Sequence, residues 1–171
     1  MKKLVIAVSI AVASLSSAFA DDGKINFEGA ITNDACTVTN NVTNPLTVTL
    51  GTVSSGAFKN AGDTAAPTKF YIDLTNCPST VTSTKVVFDG TPDSNVADIL
   101  GLTQVSGVAT NVGIQITDKK EVVVPLRTAS SAYAMTAGSN SLEFVARYYA
   151  TDATVGAGSA NATSNFTILY N

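Results

Sequence analysis

Cys36 and Cys77 are the only two thiols in a 171-residue chain that contains no histidine. A thiol nucleophile needs a neighbouring base, and a zinc site needs further soft ligands. Without histidine, neither chemistry has its usual partner. The same absence rules out a Ser-His-Asp triad; a Ser-Lys pair has no supporting motif, and lone carboxylates cannot be paired from sequence. "GAGSAN" at 156–161 echoes a phosphate loop but lacks the Lys-Ser/Thr ending and the strand-to-helix setting, so it reads as a plain loop. The sequons at Asn41, Asn161 and Asn165 fit the Asn- and Thr-rich composition and matter only in a host that glycosylates secreted proteins. No cofactor or metal chemistry is implied.

What the cysteines do depends on the compartment. Lys2 and Lys3 precede an apolar run from Leu4 to about Leu15, followed by Ala18-Phe19-Ala20, an A-x-A cleavage signature. Residues 1–20 therefore read as a secretory signal peptide, too short in its apolar run for a membrane anchor, and the mature chain begins at Asp21. In an oxidising space an even pair of cysteines is most simply a structural disulfide. Closing a loop of this length removes denatured-state entropy worth about 4 kcal/mol in the chain-entropy model.

Removal of the two signal lysines leaves 8 basic against 13 acidic residues, a net charge of −5. Such a surface is a poor match for nucleic acid, whose phosphates call for clusters of Lys and Arg. The length suits one domain with a substantial core.

The elements that must position these residues are strands. Apolar residues alternate with polar ones at Leu46-Val48-Leu50, Phe70-Ile72-Leu74, Val86-Phe88, Val112-Ile114-Ile116, Val122-Val124-Leu126, Leu142-Phe144-Ala146-Tyr148 and Phe166-Ile168-Tyr170. This is the period of a half-buried strand. Between the runs lie "NNVTNP", "SSGAFKNAGDTAAP", "DGTPDSN" and "TVGAGSAN", all turn-forming compositions. "DSNVADILGL" has room for one turn of helix. The expectation is an all-β immunoglobulin-like sandwich with neither internal repeat nor linker.

At the mature N-terminus, "DDGKINFEGAITNDAC" alternates Ile25, Phe27 and Ile31, yet places Gly29 on the apolar face. Glycine weakens a strand and marks a close approach. This stretch, with "VTLGTV", "KFYIDLTNCP", "ATNVGIQITD", "SLEFVARYYAT" and "ANATSNFTILYN" in that order, resembles the subunits of type 1-like fimbriae, the chaperone–usher pilins of Gram-negative bacteria.

That resemblance implies a sandwich lacking its final strand, completed by the N-terminal extension of the next subunit through donor-strand exchange, a form of β-augmentation. Residues 21–33 would be the donor extension and 34–171 the pilin domain. Ile25, Phe27, Gly29 and Ile31 match the donor's alternating positions, with Lys24, Asn26, Glu28 and Ala30 facing out. Val38 and its neighbours after Cys36 would form the domain's own first strand. Gly158, Phe166, Ile168 and Tyr170 match the C-terminal motif read by the periplasmic chaperone; Leu169, also apolar, leaves the inward face of this strand ambiguous. The implied partners are copies of the same chain, other fimbrial subunits, the chaperone and an outer-membrane usher. The implied function is that of a non-enzymatic structural subunit exported through the periplasm to a cell-surface fimbria used in adhesion. The major shaft subunit is the leading expectation, with a minor adaptor or a tip adhesin binding a host glycan as alternatives. An adhesin's extra lectin domain has no room between Ala20 and Cys36, and the chain has no Trp for stacking on sugar.

Overall fold

Alternation in the sequence becomes two facing sheets in the computed structural model, which describes residues 24–27 and 35–171. The chain divides into two units, Met1–Ile31 and Thr32–Asn171. In the first, Lys24 to Phe27 have no regular secondary structure and all four are exposed. The expected signal peptide and the donor positions Gly29 and Ile31 lie outside the described residues.

Among its described residues the second unit holds seven strands: β1 (Thr37–Val38), β2 (Thr64–Cys77), β3 (Ser83–Gly90), β4 (Val112–Asp118), β5 (Tyr133–Ala134), β6 (Gly138–Ala150) and β7 (Ser164–Tyr170). One sheet has the order β1-β2-β6-β4 and the other β5-β3-β7, with every ladder antiparallel. Between them sit the inward positions of each strand. On β6 these are Leu142, Phe144, Ala146, Tyr148 and Ala150, all buried, and on β2 they are Ile72 and Leu74. An aromatic group ties the sheets together: Phe144 of β6 meets Phe88 of β3 edge-on at 5.0 Å, Phe70 of β2 at 5.7 Å and Tyr133 of β5 at 5.3 Å. Each such ring, once buried, contributes about 1.5–3 kcal/mol through area alone. The Tyr133 hydroxyl donates to the Glu143 carbonyl at 2.5 Å, and burial pushes its phenol up to about 12.

Two of the expected strands turn out differently. Residues 46–50 join no ladder among the described residues; exposure alternates from Thr47 to Leu50, while Leu46 is itself exposed. Residues 122–126 form only a bridge, Thr117 to Val123, with the Val124 N–H donating to the Ile116 carbonyl at 2.9 Å. They cover the outer edge of β4 at one end, while Leu100 exchanges backbone hydrogen bonds with Ile114 further along. Every residue of β4 is buried as a result. The "DSNVADILGL" stretch holds a hydrogen-bonded turn, Ile99 to Val96, rather than a helix. A helical turn, a 3-10 segment at Ser55–Ala57, falls instead in a stretch expected to be loop. Its nucleus is local: the Ser54 hydroxyl accepts from the Gly56 N–H at 3.2 Å, an N-cap contact that periodicity does not reveal.

β2 runs longer than its apolar pattern because two bulges absorb irregular residues. Pro67 lies at the first, where Ala66 takes φ 53°, and Asn76 takes φ 54° at the second. A proline with no N–H is tolerated in a sheet at such a break. At the end of β2, Cys77 bonds to Cys36, with Cα atoms 4.2 Å apart, beside the short pairing of β1 with β2. The bridge clamps the start of the second unit to its longest strand. Replacing both cysteines with serine is expected to lower unfolding free energy by about 2–4 kcal/mol. Denaturant titration of the oxidised chain against the double variant checks this; an unchanged midpoint would show that β1 is held without the bridge.

Candidate functional site

The last strand ends one sheet without a neighbour. β7 pairs with β3 from Ser164↔Gly90 to Tyr170↔Thr84, and no strand among the described residues pairs with its other edge. The ladder's phase decides which backbone groups point outward. Asn171 and Ser83 exchange both N–H···O=C bonds, at 2.9 and 3.1 Å. In an antiparallel pair such hydrogen-bonded positions alternate with non-bonded ones, so Leu169, Thr167 and Asn165 turn their backbone groups toward β3. The Leu169 carbonyl indeed accepts from the Thr84 hydroxyl at 2.8 Å. Tyr170, Ile168 and Phe166 therefore direct their N–H and C=O groups away from β3, along the open edge.

These same three residues point their side chains at the core. All three are half-buried and pack against the core cluster, whereas the inward positions of β6 are closed over. Leu169 faces outward and is 43% exposed, which settles the inward face in favour of Phe166, Ile168 and Tyr170. Among the described residues, one row thus carries both an unpaired sheet edge and an incompletely covered apolar face. Burial raises the Tyr170 phenol above its ordinary range, while its hydrogen bond to the Cys36 backbone acts in the opposite direction.

A second unpaired stretch follows β1 on this flank. Val48, Leu50 and Val53 are half-buried against the core, and Leu46 to Thr49 line, with Asn40, Thr68 to Tyr71 and Asp73, a recess of ≈ 280 Å³ at the outer edge of β2. The spacing of three between Leu50 and Val53 is accommodated at Gly51, whose φ of +75° lies in the left-handed region. β7 and residues 45–53, each without a ladder on its outer side among the described residues and each carrying half-buried apolar side chains, are the candidate walls of an acceptor groove.

Gly158 is placed elsewhere. It precedes β7 in a segment bridged to residues 107–110, and a Cβ there would come within 2.5 Å of the Val108 carbonyl carbon and closer still to the Ala109 nitrogen and Gly107 oxygen. Its absence of a side chain permits backbone contact, so the structure does not bring it into the row of Phe166, Ile168 and Tyr170. Ile25 and Phe27, in the first unit, are 77% and 92% exposed. The alternation of Leu46, Val48 and Leu50 predicts an ordinary strand over 46–50; alternation reports a buried face and says nothing of a hydrogen-bonding partner. Among the described residues no group of His, Cys, Asp or Glu is arranged to hold a metal.

Comparison with known proteins gives this opening its context. The family model "Fimbrial protein" matches residues 25–171. The chain belongs to the fimbrial protein family. A type-1 fimbrial protein, C chain, of Escherichia coli is 40% identical over 169 residues, covering 96% of this chain and 93% of that one. Fimbrial subunits of this kind polymerise into pili at the cell surface and are structural rather than enzymatic. Among solved structures, the P pilus rod subunit PapA superposes with a TM-score of 0.65 at 21% identity, over 80% of this chain and 99% of that one. The CupB6 tip adhesin of Pseudomonas aeruginosa gives 0.57 at 24% identity, over 70% of this chain but 35% of that one. The fold of this fimbrial subunit is the incomplete immunoglobulin-like sandwich.

The difference in coverage between β6 and β7 is measurable. On the unassembled fimbrial chain, Phe144→Ala is expected to lose about 3–5 kcal/mol, as for a fully buried ring. Ile168→Ala is expected to lose less than about 1.5 kcal/mol, below the usual range for a buried isoleucine. Equal large losses in denaturant titrations would mean that β7 is already completely covered.

Proposed function

We propose that this chain is the major shaft subunit of a chaperone–usher fimbria and that the opening beside β7 receives the N-terminal segment of the next subunit. The observation that carries the reading is the coincidence on β7 of outward-pointing backbone groups with half-buried Phe166, Ile168 and Tyr170. A strand laid along that edge would satisfy both at once, which is the logic of β-augmentation.

The donor is the segment 21–33, freed at Asp21 by removal of the signal peptide 1–20, and the body is 34–171. Ile25, Phe27 and Ile31 would each bury enough apolar surface to contribute about 1.5–3 kcal/mol. Gly29 between them keeps one contact small. The exposure of Ile25 and Phe27 supports this reading, since two large apolar side chains close together with no cover suit an interaction segment. Until the donor arrives, an open edge beside an apolar face is an aggregation hazard. A periplasmic chaperone reading Phe166, Ile168 and Tyr170 covers the edge in transit, and an outer-membrane usher exchanges it for the donor. The shaft assignment draws support from the likeness in fold to the P pilus rod subunit PapA, with a TM-score of 0.65.

Deleting residues 21–31 is expected to abolish fibres while leaving a chain that a chaperone still binds, and fusing that segment after Asn171 is expected to give a stable monomer. A deleted chain that folds alone into a monomer of high melting temperature would overturn donor-strand exchange. Phe27→Asp is expected to stop fibre growth with the body's circular dichroism and denaturant midpoint intact; loss of the body fold would return Phe27 to an ordinary core role. Fibres sheared from cells and resolved by mass spectrometry are expected to consist mainly of this chain, and a trace proportion would make it an adaptor.

A further inference from the structure

Residues 45–53 are held to the sandwich in an unusual way. Apart from apolar packing of Val48, Leu50 and Val53, one hydrogen bond ties this stretch to the rest of the described residues: the Tyr148 hydroxyl donates to the Gly51 carbonyl at 3.1 Å. Tyr148 is on β6, buried, in the inward row with Phe144 and Ala146. Its neighbours in that row are fully apolar, so the phenol places the row's polar atom where the loosely attached stretch passes. Gly51 is also where φ of +75° shifts the phase of that stretch and lets Leu50 and Val53 both face inward. The tether and the phase shift fall on the same residue.

We propose that Tyr148 is a positioning residue for subunit assembly: its phenol holds residues 45–53 at the margin of the opening, so that an incoming strand meets a second backbone as well as the edge of β7. This rests on the reading of the opening as an acceptor groove and adds to it a residue of β6, on the sheet that does not contain β7. The geometry explains how a stretch without a ladder keeps its register before a partner strand is present. The ring of Tyr148 supplies packing, and the hydroxyl supplies location. Phe at this position keeps the first and removes the second.

The test compares fibres of the wild-type chain with fibres of Tyr148→Phe by amide hydrogen exchange. In wild-type fibres, amides of residues 46–53 and the outward amides of Phe166, Ile168 and Tyr170 are expected to be protected. In Tyr148→Phe, protection of 46–53 is expected to fall about 3- to 10-fold, the range that corresponds to losing one ordinary hydrogen bond, with the β2–β6 ladder and the β7 amides unchanged. Gly51→Ala provides a second variant. A side chain there meets open space but a disfavoured φ, and it is expected to loosen the same stretch while the phenol remains. Unchanged protection of 46–53 in both variants would overturn the positioning role. Loss of β2–β6 protection in Tyr148→Phe would also overturn it, because the hydroxyl would then be part of the body's own stability. If wild-type fibres leave the outward β7 amides unprotected, the groove reading itself fails, and this inference fails with it.

Discussion

Sheet edges and apolar faces obey the same demand, that nothing costly be left uncovered, and β7 violates it twice with the same three residues. Its outward N–H and C=O groups, without a partner strand among the described residues, and its half-buried Phe166, Ile168 and Tyr170 form one row. A backbone hydrogen bond contributes about 0.5–1.5 kcal/mol net, but an unpaired buried group costs more than that. A strand that repairs the row gains from both sources along its whole length. This combined deficit supplies both the driving force and the register for a partner.

The remainder of the body is arranged so that the deficit is confined to one flank. The opposite sheet end, β4, is buried along its length because Leu100 and residues 122–124 bond across its edge. Pro67 and the two bulges interrupt the β2–β6 ladder, and the Cys36–Cys77 bridge ties β2 to the segment that leads into residues 45–53. The aromatic group around Phe144 holds the two sheets together without help from the missing strand. Natural sheets usually blunt their edges; in this fimbrial subunit the β4 edge of one sheet is covered, and the β7 edge of the other has no partner strand among the described residues.

Much of this was legible in the sequence, and the parts that were not share a cause. β2, β3, β4, β6 and β7 announce themselves because each buries alternate residues against a core, which period-two patterning reports directly. The stretch at 46–50 has the same pattern for the same reason, yet has no ladder, since alternation encodes a face and not a hydrogen-bonding neighbour. Val122, Val124 and Leu126 likewise alternate but serve as an edge cover. For β7, the apolar Leu169 made the inward face ambiguous until the phase of its ladder with β3 resolved it. Gly158 matched a motif by its position, whereas the structure gives it a steric role against residues 107–109. The tether from Tyr148 to Gly51 spans a separation no local pattern records.

The central claim is that the row on β7 is completed by another molecule, and the most direct measurement is a contact between chains. Fibres assembled from a mixture of chains carrying 13C on Phe27 and chains carrying 15N on Ile168 can be examined by magnetic-resonance recoupling, which sees only the mixed pair. The account predicts a close contact between Phe27 of one chain and the β7 row around Ile168 of its neighbour. Fibres that show this contact only when both labels are on the same chain would contradict it.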